Sequence, residues 1–557
     1  MSPVVPAISL VTPVYDPPLK ALRACIDSVL GQDLADWEWC ICDDASPSAE
    51  VKAELERLAA RESRVRLVRR PANGGIVAAS NDALSLATGE FVALLDHDDL
   101  LAPGALSTME RYVRAHPDAD YLYSDEDKVD AEGRHYDLFL KPDWSPERLR
   151  SHMYTGHLSV LRRSLVTEVG GFRVGFEGSQ DHDLVLRVTE RAREIVHVPH
   201  VLYSWAVVPG SAAGSADAKP YAFEAGRKAV EEHCGRTGID AVVEFAVPSA
   251  SIFRVRRKVR GNPLVSIVIP TRGSSAMVWG HERLFLTELI KGVLEKSTYD
   301  NLEFVVVYDL DTPEAAMKEL AERCGPRLVA VPFDEPFNFS TKVNLGFARS
   351  TGDYLLILND DMEVIDPDWI ETLLALAQDP GVGVVGAKLY FSDDTIQHAG
   401  HQYDHREMYH VHYGATRGDP GYFASLLVDR EASGVTGACM MLRRSVFEEV
   451  GGMTTDLPGS FNDVDFCLKV RQAGYRVVWT PWASLYHFES KSRNPEVKPG
   501  EAEFVRARWG LEWPRDPYLA EAPPELTLRH AVRTSLIRAV PAPWRPRLIR
   551  IRNRMRR

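Results

Sequence analysis

The feature that most constrains this chain is a buried strand that ends in acid, and it occurs twice. Phe91 to Pro103 reads FVALLDHDDLLAP, an apolar run that stops at Asp96-His97-Asp98-Asp99. Tyr354 to Pro367 reads YLLILNDDMEVIDP, a second apolar run that stops at Asn359-Asp360-Asp361. A short continuous apolar run reads as a strand buried on both faces, as in a parallel sheet. Such a strand delivers the residues after it to the sheet's carboxyl edge, where open α/β sheets hold their ligands. Carboxylates gathered there can grip a divalent cation and, through it, phosphate groups.

The two runs belong to a longer repeat. Each comes after a Thr-Gly-acid turn, Thr88-Gly89-Glu90 and Thr351-Gly352-Asp353. Further pairs keep nearly the same spacing: Arg162-Arg163-Ser164 with Arg443-Arg444-Ser445, Val169-Gly170-Gly171 with Val450-Gly451-Gly452, and Asp181-His182-Asp183 with Asp463-Val464-Asp465. Collinear matches at a slowly drifting offset mean two tandem copies of one domain, each long enough to bury its own core, and not a solenoid. The predicted domains are residues 1–255 and 256–510, followed by a basic tail at 511–557.

With 557 residues, 45% of them hydrophobic and 26% charged, the chain is globular material of two to four domains, and the repeat selects two. No apolar run approaches the roughly 20 residues that span a bilayer. The N-terminal PVVPAISLVTPVY has neither a basic n-region nor a small-residue cleavage site, so a cytoplasmic protein is expected. Seven cysteines, with Cys40 and Cys42 at a spacing no zinc motif uses, predict reduced thiols without bridges or zinc. From Leu526 onward there are ten arginines and no acid, whereas the rest of the chain sets 55 basic against 79 acidic residues. The acidic body argues against nucleic acid as a partner. In the tail, Leu536, Ile537, Trp544, Leu548, Ile549 and Ile551 alternate with arginine, which suits an anionic membrane surface such as the inner face of the plasma membrane, or a basic terminus with no partner.

Taken in order, Ala7 to Val11 reads as a first strand, Thr12 to Pro17 as a loop and Leu19 to Leu30 as a helix. A second strand, Trp37 to Cys42, ends in Asp43-Asp44-Ala45-Ser46, whose oxygens can cap a helix or bond a base and ribose. A strand at Val65 to Val68, the turn Asn73-Gly74-Gly75 and a helix carrying Asn81 precede the acidic strand. Between the copies lie a loop at Gly210 to Ser215, a helix from Tyr221 to Cys234 and a strand from Ala241 to Val247. The basic run Arg254 to Arg260 reads as a solvated edge strand, not a phosphate site. The second copy opens at Leu264 to Ile269 with Pro270-Thr271, and its strand Phe304 to Val307 ends in Tyr308-Asp309-Leu310-Asp311. Gly381 to Gly386 matches G-x-G-x-x-G but comes after a helix and itself reads as a strand, so it is no dinucleotide fingerprint.

The order TPVYDP, CDDAS, NGG, LLDHDD, SDEDK, KPDW, VGGF and GSQDHDL resembles the family 2 glycosyltransferases, in particular the bacterial two-domain members associated with O-antigen, rhamnan and capsule-type polysaccharides. The resemblance covers roughly residues 7 to 500. It implies an α/β fold class with two tandem GT-A domains, each a Rossmann-like, mostly parallel sheet, and it makes Asp96-x-Asp98 similar to the family's DXD element. It further implies that Asp44 and Thr12, with Asp16 and Asn81, bind the nucleotide, that Asp96 and Asp98 bind Mn²⁺ or Mg²⁺, and that Asp181 is the general base of an inverting displacement. In the second copy the same reading gives Thr271, Asp309 and Asn344 to the nucleotide, Asp360 and Asp361 to the metal, and Asp463 to the base. His487 becomes a third metal ligand, with Lys491 and Arg493 near the diphosphate. The donor would be a UDP-, dTDP- or GDP-linked sugar, and the acceptor a glycan or lipid-linked glycan.

Two departures matter. The residues after Asp309 do not match the family's Asp-Asn-Gly-Ser, and aligning Leu202-Tyr203 with Leu485-Tyr486 puts Ser204 opposite His487. Plainer readings also stand: Asp181 and Asp183 as acids at a helix N-terminus, His487 as an ordinary half-buried residue, and His398, His401, His405, His410 and His412 as a polar acceptor groove or plain surface. At the level of function, both domains are active, or one is active and the other a degenerate glycan-binding or scaffolding module. A nucleotidyltransferase would want a glycine-rich basic signature at Thr12 to Pro17, which has neither.

Overall fold

The computed structural model describes residues 6–207, 220–248, 250–403, 408–488, 499–510 and 516–518. The loop at Gly210 to Ser215, His405, Lys491, Arg493 and the arginine-rich tail lie outside these residues. Contacts divide the chain into two units, Met1–Arg260 with Tyr422–Glu431, and Gly261–Gly421 with Ala432–Arg557. Residues 256–260 and 422–431, which the sequence boundaries place in the second domain, therefore pack with the first. Phe423 stacks on Phe139 with ring centroids 3.7 Å apart, and Ser145 Oγ donates to Glu431 at 2.5 Å.

In the first unit, β1 (Ile8–Val14) lies between β2 (Trp37–Asp43) and β4 (Phe91–Leu94), with β3 (Val65–Arg69) beyond β2, all parallel. The alternation of a strand sends Trp37, Trp39, Ile41, Phe91 and Ala93 to one face and Cys40, Cys42 and Val92 to the other. Helices Leu19–Leu30 and Ala49–Arg61 cover the first face and Ile76–Leu86 the second. Both faces are buried, which is why these strands are apolar without a break. The sheet continues through β5 (Leu100–Leu101), β6 (Ala119–Val129), β7 (His135–Phe139), β8 (Ser159–Arg162) and β9 (Glu194–Ala206) in the order β3-β2-β1-β4-β8-β6-β9-β5, with β7 on β6.

The second unit repeats this order with Leu328–Phe333, Leu302–Asp309, Val265–Thr271, Tyr354–Leu358, Cys439–Arg443, Val382–Tyr390, Arg476–His487 and Met362–Val364. Two sheets of one topology settle the duplication and the mixed α/β class. Val382–Tyr390, which contains most of the glycine-rich decoy, is a fully buried strand.

The Thr-Gly-acid turns are fixed alike. Ser9 Oγ donates to Glu38 at 2.6 Å, and Glu38 also accepts from Thr88 N, while Gly89 N donates back to Ser9 Oγ at 2.9 Å. Ser266, Glu303, Thr351 and Gly352 make the same knot. A Cβ on Gly89 or Gly352 would sit 2.7 or 2.6 Å from the serine Oγ, so only glycine admits it. The knot anchors the start of each acidic strand and so fixes where its acids emerge.

Candidate active site

In the first domain, Leu95 N still bonds to Val11 O, and the chain then turns through the acids at the sheet edge. Asp99 is buried and accepts from Tyr203 OH at 2.6 Å and Ala206 N at 2.8 Å, so it ties the turn to β9. Burial, with the charge of Asp96, pushes its carboxyl well above the usual range. Asp96 and Asp98 remain for a ligand. Burial raises the Asp98 carboxyl, and the charge of Asp96 adds to this. A small open cleft is lined by Asp96, Asp181, Gln180, Pro13, Ser80 and Phe172 among others. Asp181 opens helix Gln180–Thr189, where an acid in the first turn is favourable, yet burial and the charge of Asp96 push its carboxyl up to about 7. Its neighbour Asp183 is spent on Arg173 and Arg187. One acid of the pair is structural and the other faces the cleft.

The proposed nucleotide residues divide similarly. Asp44 accepts from Gly74 N and Gly75 N, both at 2.8 Å, and pairs with Arg70 at 3.1 Å, so it shapes the Asn73-Gly74-Gly75 turn. Thr12, expected to line the nucleotide pocket, is buried beneath Trp39, whose Nε1 donates to its Oγ1 at 2.9 Å. Asp16 is exposed and caps Ser48 N at 3.1 Å. Asn81, expected at the nucleotide, bonds backbone: its Oδ1 accepts from Phe172 N and its Nδ2 donates to Phe172 O, each at 2.9 Å. Asn344 does the same with Met453, each at 2.8 Å. Both asparagines clamp the turn after the Gly-Gly pair with both ends of the carboxamide.

In the second domain, Asp361 and His487 meet. Met362 is paired with His487 just as Leu100 is paired with Ser204, so the two positions are equivalent, and His487 Nε2 lies 3.1 Å from Asp361 Oδ1. His487 Nδ1 donates to Gln397 Oε1 at 2.7 Å, and its Nε2, which faces Asp361, accepts from Asn359 Nδ2 at 3.2 Å, the bond a cation here would displace. A carboxylate and an imidazole lone pair directed at one point suit a cation such as Mn²⁺. Asp360 instead accepts from Thr271 Oγ1 at 2.5 Å, and burial with the Asp361 charge pushes it up to about 7. The base candidate Asp463 accepts from Gly437 N at 3.0 Å and Val464 N at 2.9 Å. Gly437 adjoins Ala438, whose carbonyl accepts from Asn359 N at 2.9 Å, so the base and the acidic turn are bridged by one short segment. Asp309 pairs with the buried Lys342 at 2.5 Å, and Lys342 also donates to Thr271 O at 2.6 Å.

Sequence reasoning missed several groups. Lys342 carried no signal beyond its place in a helix, and Gln397 none beyond adjoining His398. His97 sat unread among the acids. Its Nδ1 donates to Pro13 O at 3.0 Å, and its Nε2 lies 3.9 Å from Asp98. His157, from the loop before β8, brings Nε2 to 3.9 Å from Asp96 while Trp205 Nε1 donates to its Nδ1 at 2.5 Å. The histidine-rich stretch is also corrected. His398 and His401 are buried, not surface, and with His410 their ring nitrogens lie within 4.8 Å of one another. Gly400 N and Thr436 N both donate to His398 Nε2, so its proton sits on Nδ1, 2.9 Å from His410 Nδ1. That pair is explained by a hydrogen bond.

The family model for Glycosyl transferase family 2 matches residues 9–170 and again 266–451. "Uncharacterized protein y4gI" of Sinorhizobium fredii is 44% identical over 518 residues, 90% of this chain and 56% of that protein. "O-antigen biosynthesis protein RfbC" of Myxococcus xanthus is 37% identical over 511 residues, 90% of this chain and 38% of that protein. The chain thus spans little more than half of the one and under half of the other. Among solved structures, S. aureus TarS 1-349 in complex with UDP-GlcNAc matches with a TM-score of 0.34 and 21% identity over 40% of this chain and 65% of that one. Among the described residues no helix is long and apolar enough to cross a membrane.

Proposed function

Because this chain belongs to glycosyl transferase family 2, we propose that it moves a sugar from a nucleotide-diphosphate donor to a growing bacterial surface glycan, with inversion, at one acidic site in each domain. The observation that carries this reading is the shared cleft of Asp96 and Asp181. Asp181 accepts the proton of the acceptor hydroxyl as the new bond forms, and Asp463 does so in the second domain. Asp96 and Asp98 in one domain, Asp361 and His487 in the other, are the donor sets for Mn²⁺ or Mg²⁺. Such a cation, when bound, neutralises charge developing on the leaving diphosphate.

The two domains take their donors differently on this account. Asp44 is bound to a turn of backbone amides and to Arg70, whereas Asp309 is paired with Lys342 from a helix. The relative named for O-antigen biosynthesis supports a polysaccharide or lipid-linked acceptor. The basic tail would hold the enzyme at anionic lipid on the inner face of the membrane. Liposome flotation with and without residues 526 to 557 checks that part, and equal flotation of both forms would refute it. For the activity, the full chain is incubated with UDP-, dTDP- and GDP-sugars with and without Mn²⁺. Cation-dependent release of the nucleoside diphosphate from at least one donor is expected, and release from none would contradict the proposal.

A further inference from the structure

The acidic cluster of the first domain contains an imidazole, and its hydrogen bonds fix which nitrogen carries the proton. Pro13 O is a carbonyl and can only accept, so at 3.0 Å His97 Nδ1 must be the donor. In the neutral ring the lone pair is then on Nε2, and Nε2 lies 3.9 Å from Asp98 Oδ1. His487 has the same tautomer: Nδ1 donates to an oxygen, here Gln397 Oε1, and Nε2 faces a carboxylate of the acidic turn at 3.1 Å while accepting from Asn359 Nδ2 at 3.2 Å. A histidine that ligates a metal through one nitrogen characteristically gives its other N–H to such an acceptor, which orients the ring and raises its basicity.

The other imidazole at this site is fixed the opposite way. The indole N–H of Trp205 is a donor only, so His157 Nδ1 must accept it and the His157 proton sits on Nε2, the atom 3.9 Å from Asp96. Its ring is stacked on Tyr203 at 4.5 Å, and its backbone is held by Glu126, which accepts from His157 N at 2.8 Å, and by Lys141, which donates to His157 O at 2.5 Å. A nitrogen that bears hydrogen cannot ligate a cation, so His157 presents a hydrogen-bond donor to this side of the cleft. Two imidazoles flank the acids, and only one offers a lone pair.

We propose that His97 supplies through Nε2 the imidazole ligand of the first domain's cation site, the part that His487 plays in the second, although the two residues occupy different places in the repeat. The proposal rests on the reading that a divalent cation sits at these carboxylates. It deepens that reading, because it makes both sites mixed oxygen and nitrogen sites. Both should therefore favour Mn²⁺ over the oxygen-seeking Mg²⁺ more than carboxylates alone would.

The test is pulsed EPR of Mn²⁺ bound to the full chain carrying Asp361→Asn and His487→Gln, which leaves the first site alone. Nitrogen-14 modulation from a directly bound imidazole is expected. It should disappear in the added His97→Gln variant and persist in the added His157→Gln variant. By calorimetry, His97→Gln should weaken Mn²⁺ binding at least tenfold, with a smaller effect on Mg²⁺. Bound Mn²⁺ without nitrogen modulation, before any change in the first domain, would overturn the proposal, as would modulation that survives His97→Gln. No Mn²⁺ binding at all would overturn the cation reading of the first domain, and the assignment of His97 would fall with it.

Discussion

Asp181 and Asp96 line one cleft, and the charge of Asp96 is part of what keeps the Asp181 carboxyl protonated up to about pH 7. A base must be ionised to accept a proton, so first-domain transfer should rise with pH through about 7 when the cation is scarce. Saturating Mn²⁺ should move this limb to lower pH by offsetting the Asp96 charge. A pH–rate series at two Mn²⁺ concentrations checks this, and a limb that does not move would count against Asp181 as base or Asp96 as ligand.

The same shift bears on stability. The folded chain holds the Asp181 proton more tightly than the unfolded chain, whose aspartates titrate near 4. The stabilising contribution is fully present below about pH 4 and is lost as the pH rises through 7. Asp181→Asn should therefore stabilise the fold at pH 8 by on the order of 1 kcal/mol after allowance for its partial exposure, seen as a higher Tm, and should give less gain at pH 5. Thermal melts at the two pH values decide it, with an equal gain at both counting against the shift.

Asn81 and Asn344 clamp backbone and should behave as structural residues. Asn81→Ala leaves the N–H and C=O of Phe172 without their amide partner, a loss of about 1–3 kcal/mol. Donor affinity in the surviving folded protein should stay within about twofold. A large loss of nucleotide binding at unchanged Tm would restore them to the donor site.

Gln397 should matter to the second domain's cation although it does not touch it. Gln397→Leu removes the acceptor of His487 Nδ1–H and should weaken Mn²⁺ binding there about 10–100-fold. Calorimetry on a chain silenced at Asp96 and Asp98 isolates that site. Unchanged affinity would mean that His487 is not a ligand.

What was legible in the sequence is what a fully buried parallel sheet writes into it. The apolar runs, their acidic ends and the repeat are local and periodic, and the alignment of Ser204 with His487 holds because both sit in a sheet register. The division of labour among neighbouring acids is not local. Asp99 is structural because Tyr203 and Ala206 reach it, and Asp98 is not because they do not. Asp183 is spent on Arg173 and Arg187, and Thr12 is covered by Trp39, all through partners set by tertiary packing. His97 and His157 differ only in whether an oxygen or an indole N–H meets Nδ1, which no spacing encodes. The contribution of Tyr422–Glu431 to the first unit is likewise invisible before the chain is folded.

The central claim is that each domain carries its own acidic site with its own base. Product analysis with the full chain, carrying Asp181→Asn or Asp463→Asn one at a time, tests it most directly. Each substitution should lower one transfer step by about 10²–10⁴ and leave the other intact, so that the two variants lose different products. If one substitution stops all transfer and the other changes nothing, only one domain is catalytic and the account of two working sites is wrong.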